Sequence, residues 1–341
     1  MAVGIGTKAK DDNWLEVYYP MPILNPSIDV IQSIEKLLKI KEGGNVSIEL
    51  NSKNCHALED LFVDMKHESL SKIMLTLEES RCPRVLTILY NDTPPQNSAE
   101  AYLKLHLLSH RFAKPNNINL DGIFNVLPTV AWTSQGPIDP EELAFKRLDF
   151  RQKGIPLNVY SIDKFPKMAD YIVPSDVRIA DSSRVRLGAY IGKGTTIMHE
   201  GFVNFNAGTE GPSMIEGRVS SGVVVGKGSD LGGGCSTLGT LSGGNDTIIS
   251  IGENCLIGAN AGVGISLGNN CTVEAGLYLT GVSKVTLVDD IANELASTVV
   301  KAHSLADKEN LLFRRNSISG KIECLLKKNT VILNKDLHDN N

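Results

Sequence analysis

Residues 214–236 read MIEGRVSSGVVVGKGSDLGGGCS, and the spacing of the branched apolar residues in and around them decides the fold. Val225 and Leu231 are six residues apart, and the same step links Val185, Ile191, Ile197 and Val203. It links Ile251, Ile257 and Val263 as well, and after a four-residue step it resumes at Leu267, Val273, Leu279 and Val285. A helix repeats its apolar face every 3.6 residues and a half-buried strand every two, so neither gives six. Six residues fit one short strand and one corner of a triangular solenoid, with three such units to a coil. The branched residue of each unit points inward and stacks on the coil below. Glycine and asparagine at the corners tolerate the backbone angles needed there. Of 31 glycines, 23 fall between residues 185 and 285, which marks a change of architecture. The phase breaks at 209–224 and 237–250 are expected to be loops thrown out from the coil, where binding groups tend to lie. Glu216 and Arg218 stand inside the first break with one glycine between them. A solvated ion pair is the plain expectation for them, and a ligand site the sharper one.

The segment before the repeat has a different pattern. SIDVIQSIEKLLKI (27–40) has helical spacing with Ser27 as N-cap, VSIEL (46–50) alternates as a strand, and 57–77 reads as one helix. RVLTILY (84–90) reads as a strand and SAEAYLKLHLLSHRF (98–112) as a helix. The expected organisation is an α/β domain over 1–155, a Pro-bearing connector over 156–176, the β-solenoid over 177–286 and a small β cap over 287–341. LLFRRNS (311–317), KIECLL and KNTVILN are the cap's candidate strands, and DLHDNN is expected to fray.

Composition narrows the partners. Apolar residues make up 42% and charged residues 21% of the 341 residues, ordinary for a globular protein. A net charge of −5 without a basic stripe argues against nucleic acid. No apolar stretch is long enough for a membrane span and the start lacks a signal-peptide core, so a cytoplasmic protein is expected. The six cysteines form no CxxC pair and are expected to be reduced thiols. His106 and His110 have the i,i+4 spacing of a metal pair, but with no HExxH around them a helix-surface pair is the expectation.

The [LIV]-G-x-x-x-x repeat resembles the hexapeptide acyltransferases. RVRLGAYIGKGTTIMHEGFVNFNAGTEG, MIEGRVSSGVVVGKGSDLGGG, VEAGLYLTG and LLFRRNS are similar, more narrowly, to the tetrahydrodipicolinate N-succinyltransferase family, in its longer form with an N-terminal α/β domain. The resemblance is close over about residues 165–320 and in outline before that. It implies a left-handed parallel β-helix, a homotrimer, and succinyl transfer from succinyl-CoA to the amine of L-2-amino-6-oxopimelate, the opened form of tetrahydrodipicolinate. That is a step towards diaminopimelate and lysine.

Such a thioester aminolysis needs a neutral amine, a stabiliser for the tetrahedral oxyanion and two anion sites. Glu216 matches the residue given the catalytic role in the family, described there as an acyl-anhydride intermediate. As chemistry it can be a general base or a nucleophile. Arg218 matches a residue contacting succinyl-CoA, and a guanidinium suits the succinyl carboxylate. One such contact favours succinyl over acetyl by ~1.5–3 kcal/mol. Gly233 lets a ligand approach backbone amides, which can serve an oxyanion, and Ser236 adds a hydroxyl. Ala259, Glu274, Ala275 and Gly281 match further cofactor contacts, while Lys301, Arg314, Arg315, Asn316 and Ser317 would serve the nucleotide phosphates. Glu200 matches a family Mg²⁺ ligand at the trimer axis. The family's second metal ligand, an aspartate, aligns here with Ser183, with Asp181 close by.

Three other readings compete with this one. An acetyl-CoA-dependent hexapeptide N- or O-acetyltransferase commonly uses a coil histidine as base, and the repeat region holds only His199. A β-helix carbonic anhydrase needs three histidines for zinc. A non-catalytic solenoid scaffold or ice-binding surface would show threonine ladders, which this coil lacks.

Overall fold

The computed structural model describes residues 1–41, 43–239, 248–288 and 298–327. The chain forms two compact units and crosses between them three times. Met1–Leu107 with Ile118–Pro166 make the first, and Leu108–Asn117 with the chain from Lys167 onward make the second.

In the first unit, strands Trp14–Tyr18, Ala2–Lys8, Arg84–Ile88 and Val46–Leu50 lie in that order in one antiparallel sheet. Helix Ile28–Leu38 starts where Ser27 Oγ accepts the Val30 amide, as its sequence predicts. The helix expected over 57–77 is two helices, Ser52–Asp64 and Glu68–Glu78. Asn51 and Asn54 cap each other's backbone and start the first one early. Lys66, at φ 59°, turns the chain out of it, a left-handed conformation that no helix continues through. Val30, Ile34, Leu58, Phe62, Met74 and Leu86 form the core between these helices and the sheet. A second antiparallel sheet joins Gly136–Ile138, Val130–Thr133 and Val159–Asp163. His106 on helix Ser98–Ser109 is buried, not on the helix surface as expected. Its Nδ1 lies 2.7 Å from the Tyr102 carbonyl and its Nε2 accepts the Tyr19 amide at 3.3 Å. These contacts make it a core histidine.

The second unit is a parallel β-coil with three faces. Its first face runs through Val177–Ile179, Thr195–Ile197, Ser213–Ile215, Asp230–Leu231, Leu256–Ile257 and Thr272–Val273. The second stacks Phe202–Val203, Arg218–Val219, Ser236–Thr237, Gly262–Gly264 and Tyr278–Thr280. The third stacks Tyr190–Ile191, Gly208–Thr209, Val224–Val225 and Ser250–Ile251. Every branched residue of the six-step pattern is buried inside. Ile197, Ile215, Leu231, Ile257 and Val273 form one such column. Truncating one of these to alanine costs about 2–5 kcal/mol by transfer and cavity together. Asn206, Asn254, Asn260 and Asn270 take corner positions at φ 52–59°, where a short polar side chain is tolerated.

The break at 209–224 is not a loop. Strands Gly208–Thr209, Ser213–Ile215 and Arg218–Val219 carry the coil straight through it. The phase changes because Ile215 and Val219 are four residues apart, where Ile197 and Val203 one coil earlier are six apart. One corner is therefore two residues short, and Glu216, Gly217 and Arg218 are all it contains. In the other break, residues 240–247 lie outside the described residues.

The cap prolongs the first face. Phe313 pairs parallel with Val273, and Leu311–Arg315 then pairs antiparallel with Ile322–Leu326. Lys284–Val288 and Val299–Lys301 complete the sheet. KNTVILN and DLHDNN fall outside the described residues. Among the described residues no helix is long and apolar enough to cross a membrane.

Candidate active site

The corner between the first and second faces carries most of the expected residues, one above another. The strand-to-corner step puts Glu200 after Ile197, Glu216 after Ile215, Gly233 after Leu231 and Ala259 after Ile257. Glu274 and Ala275 follow Val273, and Arg314 and Arg315 follow Phe313 in the cap. Parallel pairing spaces these rungs about 4.8 Å apart, so the column is a continuous edge with Glu200 and Glu216 towards one end and Arg314 and Arg315, next to Glu274, at the other.

Glu216 and Arg218 do not pair with each other. Among the described residues neither forms an ion pair, and the Glu216 carboxylate accepts no hydrogen bond. Glu216 is half-buried. A Cβ built on Gly233 would lie 3.5 Å from Glu216 Oε2 and 3.7 Å from Glu200 Oε2, so both carboxylates converge on that glycine. The Gly233 amide has no acceptor among the described residues, whereas Gly232 and Gly234 donate to Ile257 and Glu216 carbonyls. Behind the corner, Gly217 leaves room for the Cys235 thiol. Burial, then the charge of Glu216, pushes that thiol from 9.0 up to about 12.

Arg218 opens onto the second face. Its Nε donates to Ser236 Oγ at 3.2 Å. Beside it lies a cavity of about 350 Å³ bounded by Phe202, Asn204, Ser220, Leu238 and Tyr278. These five residues were not among those expected. A sequence signal exists for two of them: Phe202 and Tyr278, like Arg218, Ser236 and Gly262, each precede an inward residue of the coil and so point outward on one row. Arg186 covers the Phe202 ring at 5.9 Å and donates to Asn204 Oδ1, so that end of the cavity is held in place.

At the cap end, Glu274 Oε2 accepts the Arg315 amide at 2.6 Å. Glu323 receives Asn316 Nδ2 at 2.7 Å on one oxygen and Arg314 Nε at 2.9 Å on the other. The Asn316 bond first, then Arg314, holds its carboxyl below the usual range. Asn316 Oδ1 also accepts the Ile318 and Ser319 amides, which shapes the turn exposing Ser317. Gly281 and Lys301 stand apart from the column. Gly281 lies at the end of the second face against His303, and Lys301 is exposed opposite Lys284.

Among the described residues no three of His, Cys, Asp or Glu converge on a point, and Mg²⁺ seeks octahedral oxygen coordination. Asp181 is turned to Ser183, accepting from both its amide and hydroxyl, and those bonds lower its pKa.

Residues 26–125 match the family model for the N-terminal region of tetrahydrodipicolinate N-succinyltransferase, and residues 127–167 its middle region. Residues 248–281 match the hexapeptide repeat of succinyl-transferase. A 2,3,4,5-tetrahydropyridine-2,6-dicarboxylate N-succinyltransferase of Pseudomonas aeruginosa is 55% identical over the whole chain and 98% of its own length. The protein of the same description from Vibrio cholerae is 49% identical over the same shares. A solved structure from Campylobacter jejuni, described as a 2,3,4,5-tetrahydropyridine-2-carboxylate N-succinyltransferase, superposes with a TM-score of 0.87 at 30% identity. That likeness covers 97% of this chain and 93% of the other. With identity this high along the full length of its relatives, the chain belongs to the tetrahydrodipicolinate N-succinyltransferase family.

Proposed function

We propose that the protein transfers the succinyl group of succinyl-CoA to the amine of L-2-amino-6-oxopimelate, the ring-opened form of tetrahydrodipicolinate, on the diaminopimelate route to lysine. The observation that carries the reading is the short corner at 216–218. It presents a carboxylate and a guanidinium that leave each other unpaired, the first beside Gly233 and the second beside Ser236.

Aminolysis follows from that arrangement. Glu216 takes the proton of the acceptor ammonium, so that the nitrogen lone pair can attack the thioester carbon. The oxyanion that forms is met by the Gly233 amide, and one such donor is worth about 3 kcal/mol of barrier. Collapse of the intermediate breaks the C–S bond, and the CoA thiolate leaves and takes up the proton that the nitrogen sheds as the amide forms. Arg218 holds the far carboxylate of the succinyl group. Arg314 and Arg315, in the cap, serve the nucleotide phosphates at the end of the same edge, with Ala259 and Ala275 leaving a path between for the pantetheine arm.

We further read the coil as left-handed and the active form as a homotrimer acting on small molecules in the cytoplasm, without nucleic-acid or membrane partners. A Mg²⁺ bound through Glu200 would need the same carboxylate from three copies. The acetyl-transfer alternative is disfavoured by Arg218, whose unpaired guanidinium has no use for an acetyl group. Thiol release with the tetrahydrodipicolinate acceptor tests the function. Release from succinyl-CoA and little from acetyl-CoA is expected, and equal release from both would refute the assignment.

A further inference from the structure

The second face contains one strand with no outward side chain at all. Gly262–Gly264 points Val263 into the core and leaves both outward positions to glycine. Those positions are covered from the neighbouring rungs. The Tyr278 ring lies on Gly262, where any Cβ would collide with the ring carbons. Leu238 lies on Gly264, whose Cβ position is 2.8 Å from Leu238 Cδ1. Two side chains thus lean from opposite sides onto a bare strand. The glycines fix where they sit.

The result is a slot over Ser236. It begins at the corner beside Gly233, since Ser236 is the first residue of its strand. Arg218 forms one side, on the preceding rung, with its guanidinium in contact with Ser236 Oγ. The Tyr278 ring forms the other side, over the following rung. Leu238 stands two residues beyond Ser236 and closes the far end, about 7 Å along the strand. A short chain entering from the corner and ending in a carboxylate would meet Arg218 beside Ser236, and any longer chain would run on towards Leu238.

We propose that Tyr278 and Leu238 determine acyl-chain specificity, by limiting the dicarboxylic acyl thioester to a four-carbon chain. This rests on the succinyl-transfer reading. It goes beyond it in naming the wall that rejects longer acyl groups, where Arg218 alone would accept any terminal carboxylate. Neither residue touches the reacting atoms.

The test is the ratio of kcat/KM for glutaryl-CoA to that for succinyl-CoA, with saturating acceptor, in the full-length protein. One methylene against an apolar wall is worth about ten-fold or more, so Leu238→Ala and Tyr278→Ala should each raise the ratio about ten-fold. Tyr278→Phe keeps the ring and should leave the ratio at the wild-type value. A merely structural role would lower both activities together and leave the ratio unmoved. An unchanged ratio in both alanine variants overturns the proposal, as does a raised ratio in Tyr278→Phe. If either alanine variant fails to fold, Leu238→Val, one methylene smaller, takes its place: a raised ratio supports the wall and an unchanged one overturns it. Wild-type release from succinyl-CoA is the control on the underlying reading. Its absence overturns that reading and the proposal together, whereas an unchanged ratio with active wild type overturns the proposal alone.

Discussion

Gly233 and Gly234 are neighbours in one corner, and the structure predicts opposite outcomes for the same substitution at each. Gly234 has φ 69°, and a Cβ there would sit 2.5 Å from Asn260 Oδ1. Gly234→Ala therefore combines left-handed strain with a collision, costing about 1–3 kcal/mol. Gly233 has no positive φ, and its Cβ position makes only ordinary contacts, 3.5 Å to Glu216 Oε2 and 3.7 Å to Glu200 Oε2. Gly233→Ala should thus be neutral or stabilise by about 0.4–1 kcal/mol, through the unfolded chain. Its effect falls on the chemistry. An amine that gives its proton to Glu216 must come within about 2.6–3.2 Å of the carboxylate, and the new methyl takes up that approach. A displacement of about 1 Å can lower kcat/KM about 10²-fold. Thermal unfolding and acceptor-dependent thiol release on the two variants separate the effects. Gly233→Ala with wild-type turnover, or with a loss of thermal stability equal to that of Gly234→Ala, would mean that Gly233 does not guard the approach to Glu216.

The Cys235 thiol, raised from 9.0 to about 12 in the fold, makes stability fall with alkalinity. The unfolded chain gives up that proton first, so the contribution is complete below pH 9 and is lost as the pH rises towards 12. Thermal midpoints across that window should fall more steeply for wild type than for Cys235→Ala, and parallel slopes would contradict this. At the cap, Glu323→Gln removes the charge that anchors Arg314 and Asn316. A charge-assisted bond of this kind is worth about 1.5–3 kcal/mol. The KM for succinyl-CoA should rise about ten-fold, with the acceptor KM unchanged, as initial-rate kinetics would measure.

Much of the coil was legible because its six-residue step is local. Val185 through Val285 announce which side chains face inward, and the glycine after many of them marks the corner. What stayed hidden depends on how one coil stacks on the next. The rungs of the first face fall at Ile197, Ile215, Leu231, Ile257 and Val273, at unequal intervals. Register between coils cannot be read from a constant repeat, so in sequence the short corner at 216–218 looks like part of a loop. For the same reason the contacts of Tyr278 on Gly262 and of Leu238 on Gly264 are not legible in the sequence, since the strand they cover belongs to another coil. In the first unit, Lys66 carries no sequence signal for a left-handed turn. Burial of His106 depends on Tyr19, which is far away in sequence. Glu200, Glu216 and Gly233 were each singled out along the chain, but only the fold brings both carboxylates to one glycine.

Glu216→Gln keeps the side chain's shape while removing its basicity, so it separates a catalytic carboxylate from an ordinary solvated one. Thiol release from succinyl-CoA with the tetrahydrodipicolinate acceptor should fall by about 10²–10⁴-fold, with the KM for succinyl-CoA and the thermal midpoint close to wild type. Release at the wild-type rate would return Glu216 to a solvated corner and contradict the account.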